Sequence, residues 1–282
     1  EYMIIVYESD TEAVKRMVPE PLEPLGNVVL AEWIAMPDST GFGDYQEAGI
    51  VIPCLFRGER VNFTANMYLN CEPPIAAGRE IWGFPKKYAK PMLKVDSDTL
   101  LGVLHYAGSE VARGTMAFKH KPQSLWETAL SLSVPSVNLK LIPDVDWSPK
   151  VAQLVKYKLC DVHVKESFEG PARLHTVPHV HAPWADLPVR KIRGGKHILA
   201  DLTLPYGEVI FDYTKEEISD EVKEQELASP NLTRSKVLQA SSMPVSAPSF
   251  TKGPFRLHNR EIMRIRYQTD PELLPAHLPE DL

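Results

Sequence analysis

Cysteine is scarce in this chain. Cys54, Cys71 and Cys160 are the only three in 282 residues, and no two form a Cys-x-x-Cys pair. An odd, scattered set excludes a disulfide framework and a cysteine-built zinc site, and it fits a reducing compartment. There is no basic run, and the net charge is −6, which excludes nucleic acid and anionic membrane as natural partners. No apolar run approaches the ~20 residues of a membrane-spanning helix. No secretory leader pattern is visible, so the cytoplasm is the expected compartment. The chain opens at Glu1 rather than at methionine, so an upstream segment is expected. Long helical stripes are also scarce, whereas proline is not, at 25 residues. That balance suits short strands and turns better than a helical bundle.

The strand texture runs through most of the chain. Residues 1–7 are apolar and rich in Ile, Val and Tyr, and Val28 to Met36 repeats that character. Thr11 to Val18 predicts a short helix, capped by Asp10 and ended by Pro19. Val61 to Leu69 alternates strictly, which predicts a half-buried antiparallel strand with Asn62, Thr64 and Asn66 outward. Asp38 to Gly49 is rich in Gly, Asp and Ser and predicts a loop. Further strand-like segments follow as far as Tyr213. The fold class expected is mostly β (α+β), an antiparallel sheet system closing into a barrel or sandwich with few short helices.

The chemistry concentrates at Gly78-Arg79-Glu80-Ile81-Trp82-Gly83-Phe84-Pro85-Lys86-Lys87-Tyr88. A lysine attacks a carbonyl only as the neutral amine, and an unperturbed lysine has a pKa of about 10.4. Lowering that by roughly four units disfavours the ammonium by about 5.5 kcal/mol. Burial against Trp82, Phe84 and Tyr88, or a second cation nearby, would supply it. On an extended segment Lys86 and Lys87 point to opposite faces, so burial of Lys86 is the expected cause. A bare Lys-Lys pair is otherwise a solvated turn.

Gly-Arg-Glu, three residues, an aromatic residue and Pro-Lys-Lys together form a specific pattern. With Glu32, Glu47 and the run from Val95 to Leu100, it resembles the acetoacetate decarboxylase family. The resemblance covers residues 1–213 and implies a cone-like antiparallel barrel with helices at its edge. It implies Lys86 as Schiff-base lysine, Lys87 as its neighbour, and Glu32 and Glu47 as active-site carboxylates. Phe84 is read as part of the substrate pocket. The family's active-site arginine falls just before Glu1, and its equivalent further on is Arg260. The activity implied is decarboxylation of a β-keto acid, most simply acetoacetate, with no cofactor and no metal, by a homo-oligomer. A lone carboxylate in an apolar strand, such as Glu32, is expensive without a function; Glu47, in its polar segment, is promoted by the resemblance alone. Arg79 and Glu80 either belong to the site or form a structural pair. His179-Val180-His181 has no carboxylate or cysteine at ligand spacing and is not read as a metal site. His105, His120, His175 and His197 are read as packing or surface residues.

The tail repeats the head. Glu261 to Asp270 aligns with Glu1 to Asp10, with Glu, Met, Ile, Tyr and Asp recurring in place, and Pro279-Glu280-Asp281-Leu282 echoes Pro19-Glu20-Pro21-Leu22. Lys236 to Arg260 also resembles the arm that members of the family carry before their first strand. The expected organisation is a decarboxylase-like domain at 1–213, an acidic helix and linker at 214–235, and the arm and first strand of a second copy at 236–282. A window cut from a tandem duplication explains this better than a rearranged single domain. Two rival functions stay open: aldol or dehydration chemistry on pyruvate-like substrates, and a barrel that binds a small molecule without turnover.

Overall fold

The computed structural model describes residues 1–215, 219–266 and 268–271. Two compact units result, Glu1–Thr251 and Lys252–Leu282. The first is built on a large mixed sheet. Its centre runs Lys191–Thr203, Tyr2–Glu8, Val28–Ser39, Gly43–Phe56 and Glu59–Leu69, each antiparallel to the next. Two further strands share the far edge of Glu59–Leu69 and are parallel to it: Lys86–Tyr88 pairs at Met67 to Leu69, and Ser136–Pro143 pairs at Asn62 and Phe63. A second sheet, ordered Ala172–Thr176, Ser109–Ala117, Thr99–Tyr106 and Lys90–Asp96, packs across one face of the first.

Alternation decides what each strand shows to each side. Met3, Ile5 and Tyr7, with Val29, Ala31 and Trp33 on the neighbouring strand, are fully buried between the sheets. Contact there is close. A Cβ at Gly102 would lie 2.5 Å from atoms of Met3 and Trp33, and one at Gly114 would lie 2.7 Å from Ile5. The opposite face, with Tyr2, Ile4, Val6, Val28, Leu30 and Glu32, looks away from the second sheet. Helix Leu125–Leu132 covers part of that face, packing Ala129 and Leu132 toward Ile4, Val164 and Ile198.

Three local expectations are corrected. The segment from Asp38 to Gly49 is not a loop: Val28–Ser39 and Gly43–Phe56 form one long hairpin, so Glu47 sits on a strand. Pairing on both edges outweighs the turn-like composition. Glu59–Leu69 is not half-buried either, because Thr64 and Asn66 are covered as fully as Phe63 and Ala65. Helix Thr11–Met17 forms, but the Asp10 side chain does not cap it; its carboxylate instead takes two bonds from Arg190, at 2.8 and 2.7 Å.

The segment after the acidic helix Asp220–Ala228 packs into the first unit. Val237, Met243 and Ala247 are core residues, and helix Arg234–Gln239 is anchored by Arg234 donating to the Tyr213 carbonyl. In the second unit, residues 252–266 form no strand or helix, and Phe255, Leu257, Ile262, Met263 and Ile265 are exposed. A single strand without ladder partners has no independent stability. Tyr267 and the Pro279–Leu282 match lie outside the described residues, as do Glu216 and Glu217.

Candidate active site

The approach to Lys86 is shaped by glycines. A helical turn with wide i→i+5 bonding, Gly78–Trp82, ends at Gly83, whose φ of 75° is left-handed and whose N–H donates to the Gly78 carbonyl. A Cβ at Gly83 would also lie 2.4 Å from Lys140, so both conformation and space require glycine. The chain then turns through Phe84 and Pro85 and enters the strand Lys86–Tyr88. Successive side chains there diverge as expected.

Lys86 points inward. Its Nζ lies 3.0 Å from Oε1 of Glu47, and both side chains are nearly closed off, at 7% and 4% exposed. The Phe84 ring covers the ammonium at 4.8 Å, in an apolar cluster with Tyr45, Met67 and Leu69. Phe84 thus supplies the burial anticipated from the sequence, whereas Tyr88 does not, being 62% exposed. Glu32 and Glu47 stand on adjacent strands and share the same face, since Glu32 pairs with Gly49 and Ile34 with Glu47. Glu32 is ringed by protein but keeps some accessible surface. Burial first, and then the Glu47 charge, pushes its carboxyl up to about 7. Three phenols complete the surroundings. Tyr2, Tyr45 and Tyr157 are all pushed above the usual tyrosine range by burial, with the Glu47 charge contributing to each. They therefore stay protonated and add no charge beside the carboxylates.

Lys87 points the other way and is equally buried. Its Nζ donates to the carbonyls of His181 at 2.9 Å and Ala247 at 3.0 Å, over the Tyr106 ring. Burial, then the Arg79 charge, pulls this amine down to about 8. Arg79 does not pair with Glu80. Its Nη1 donates to the Lys86 carbonyl at 2.8 Å, the Met243 carbonyl at 2.9 Å and Ser249 Oγ at 3.2 Å. Residues 242–249 thus strap down the backbone from which both lysines project. His181 is used through its main chain, and its ring packs with those of His179 and Tyr106. His197 is buried between Phe118 and Phe168 and binds Glu1 at 2.8 Å.

Lys86, Glu47, Glu32 and Phe84 therefore converge on one inner face, with Lys87 behind them. Over residues 1–214 the sequence matches the model of the family described as acetoacetate decarboxylase. The chain belongs to the acetoacetate decarboxylase family. A relative named acetoacetate decarboxylase from Bordetella avium is 52% identical over 213 residues, covering 76% of this chain and 87% of its own. One of the same name from Acidiphilium cryptum is 51% identical over the same share of each. The crystal structure of acetoacetate decarboxylase from Legionella pneumophila superposes with a TM-score of 0.74 at 47% identity, covering 76% of this chain and 85% of that one. The family region ends at residue 214, short of the strap at 242–249. Arg260 lies in the second unit and is exposed there.

Sequence reading missed three features of the site. Tyr2 and Tyr157 carry no motif and are brought in by strand pairing alone. Gly78 did have a signal, as the first residue of Gly-Arg-Glu: a Cβ there would fall 2.7 Å from Lys86 Cδ and 3.2 Å from its Nζ.

The Glu32 carboxyl makes stability depend on pH in a definite direction. Unfolded, it ionises near ~4.3; folded, near 7. Its neutral form favours the folded state fully below the unfolded value, and that contribution is lost as pH rises through about 7. Glu32→Gln is expected to remove the corresponding fall in Tm between about pH 4 and 7. Thermal melts across that range check it, and an equal fall in the variant would assign the titration to another group.

Proposed function

We propose that this protein decarboxylates acetoacetate to acetone and CO2 through an imine on Lys86. The observation that carries the reading is the buried Lys86–Glu47 pair beside a second carboxyl, Glu32, that holds its proton to about 7. A carboxyl that keeps its proton to about 7 next to a buried lysine supplies the proton donor that acid–base catalysis near neutrality requires. The family membership supports the same reaction.

The steps follow from these positions. Glu47, in direct contact with Nζ, takes the ammonium proton and frees the amine. The amine adds to the substrate ketone. Glu32, still protonated near neutrality, gives its proton to the departing hydroxyl, and water leaves. The iminium so formed is a positive charge adjacent to the carbon whose bond breaks. CO2 departs, its bonding electrons form the enamine double bond, and the nitrogen becomes neutral. Protonation of carbon regenerates the iminium, and water releases acetone and Lys86. The electron sink is the nitrogen itself, so the scheme calls for neither metal nor organic cofactor. The aromatic wall of Phe84 excludes bulk water and favours loss of charge on going from carboxylate to CO2.

Burial pulls the Lys87 amine down to about 8, yet Lys87 is not the assigned nucleophile. Its nitrogen is committed to two carbonyls, and no carboxylate lies within ion-pair distance of it among the described residues. The test is borohydride reduction in the presence of acetoacetate, followed by peptide mapping. The expected adduct sits on Lys86; an adduct on Lys87, or none in folded protein, refutes the assignment.

The resemblance gives the substrate carboxylate to an arginine whose position falls just before Glu1, or to its equivalent further on, Arg260. On the second assignment Arg260→Ala is expected to raise KM for acetoacetate by about tenfold or more, the worth of a charge-assisted hydrogen bond. Steady-state kinetics check it, and an unchanged KM removes Arg260 from the reaction.

A further inference from the structure

A cavity of about 660 Å³ does not touch Lys86. It nevertheless lies on the face of the main sheet that carries the site. Val6, Val28 and Leu30 form its apolar floor. Leu30 pairs with Val6 and Val51, and the next inward-facing positions along the same strands are Ile4, Glu32 and Gly49, followed by Tyr2, Ile34 and Glu47. Two residues along a strand span about 7 Å, so the floor of the cleft ends one side chain short of Glu32. Accessibility follows strand Val28–Ser39 as far as Glu32, beyond which Ile34 and Glu47 are closed over. Val28, Leu30 and Glu32 are partly accessible, whereas Val29, Ala31 and Trp33, on the other face, are fully buried.

The rim of this cleft is cationic. Arg60, Lys121, Arg193 and Lys196 border it, all exposed, against one carboxylate, Glu169. Glu169 is bound by Lys121 at 2.8 Å, and Arg193 is held by Glu8 at 2.9 Å. Among the described residues, no carboxylate lies within ion-pair distance of Arg60 or Lys196. A protein with a net charge of −6 repels an anion at long range, so a local cationic mouth leading to an apolar floor is where a small carboxylate is drawn in.

We propose that this cleft is the route by which the keto-acid anion reaches Lys86, and that Arg60 and Lys196 at its mouth select and steer it. The proposal rests on the reading of Lys86 as the imine-forming amine. Steering acts on capture, not on bond breaking, so the effect belongs in kcat/KM rather than in kcat.

The test uses the intact chain and two probes of one amine. Acetoacetate is an anion. 2,4-Pentanedione is a neutral β-diketone that condenses with a lysine, losing water, to give an absorbing vinylogous amide. Arg60→Gln with Lys196→Gln is expected to lower kcat/KM for acetoacetate by about tenfold at low salt and to flatten its salt dependence. The rate of diketone adduct formation on Lys86 is expected to stay the same. Val28→Trp, which narrows the floor, is expected to slow both probes. If the charge variant slows both probes equally, or neither, steering is overturned. If folded Val28→Trp leaves both rates unchanged, the cleft is not the route. Failure of the imine reading looks different: the unsubstituted protein then forms no adduct on Lys86 with either probe, and the route falls with it.

Discussion

Replacing Lys86 with methionine is expected to lower kcat for acetoacetate by about ten-thousandfold or more and to abolish borohydride trapping, because the electron sink goes with the amine. The same change also harms the fold. Glu47 is 3% exposed and its ion pair is to Lys86 Nζ. Removing one member of a buried pair leaves the other uncompensated and costs about 3–5 kcal/mol. Lost activity alone would therefore not separate chemistry from folding. The double variant Lys86→Met with Glu47→Gln removes the stranded charge and is expected to recover most of the stability with none of the turnover. Lys87 is not expected to take over, since its nitrogen is held by the His181 and Ala247 carbonyls on the opposite side of the strand. Kinetics and chemical denaturation of the single and double variants check both halves. Residual trapping that maps to Lys87 would show that the strand's facing does not determine which lysine reacts.

Gly78→Ala is expected to lower kcat by about a hundredfold while leaving stability unchanged or slightly higher. The backbone at Gly78 is right-handed helical, with φ −59° and ψ −42°, so glycine is not needed there for conformation. Alanine is the better residue for a helical turn by up to about 1 kcal/mol. What forbids the methyl group is the catalytic side chain itself: the new Cβ would fall 2.7 Å from Lys86 Cδ and 3.0 Å from Cε. The flexible lysine stem gives way more easily than backbone does, so the amine shifts out of its reactive position while staying within ion-pair reach of Glu47, and the fold survives. A misplacement of about 1 Å is enough to cost roughly 10²-fold in rate. Loss of activity without loss of Tm is thus the signature of a residue that positions the nucleophile, and a matching drop in Tm would mark Gly78 as structural instead. Unaltered kcat would mean that the lysine finds its place without the gap that glycine leaves.

Much of this protein was legible in its sequence. Short alternating apolar runs with proline and glycine punctuation specify a mostly β chain, because period-two burial is a local property of the strand. The Gly-Arg-Glu and Pro-Lys-Lys pattern pointed to the family and to Lys86. The divergence of Lys86 and Lys87 follows from two adjacent positions on an extended backbone.

Other parts were not local. Glu47 reads as a loop residue from its Gly and Asp neighbours, and only the ladders on either side make it a buried strand residue facing Lys86. Thr64 and Asn66 read as solvated, yet they are covered because sheet packing and strand pairing close over both faces of Glu59–Leu69. Apart from the Lys86 carbonyl, the partners of Arg79 and Lys87 lie more than ninety residues away, outside the Gly-Arg-Glu and Pro-Lys-Lys pattern. The Glu32 carboxyl is raised by burial, which its apolar strand foreshadows, and by a charge on the neighbouring strand, which leaves no trace in its own sequence environment. Sequence determines what can be read along a few consecutive residues: backbone preference, the side on which a residue falls, and a reactive residue type within its motif. Tertiary structure decided the protonation states and the access, because desolvation and Coulomb interactions depend on distance through space, and strands remote in the chain set those distances.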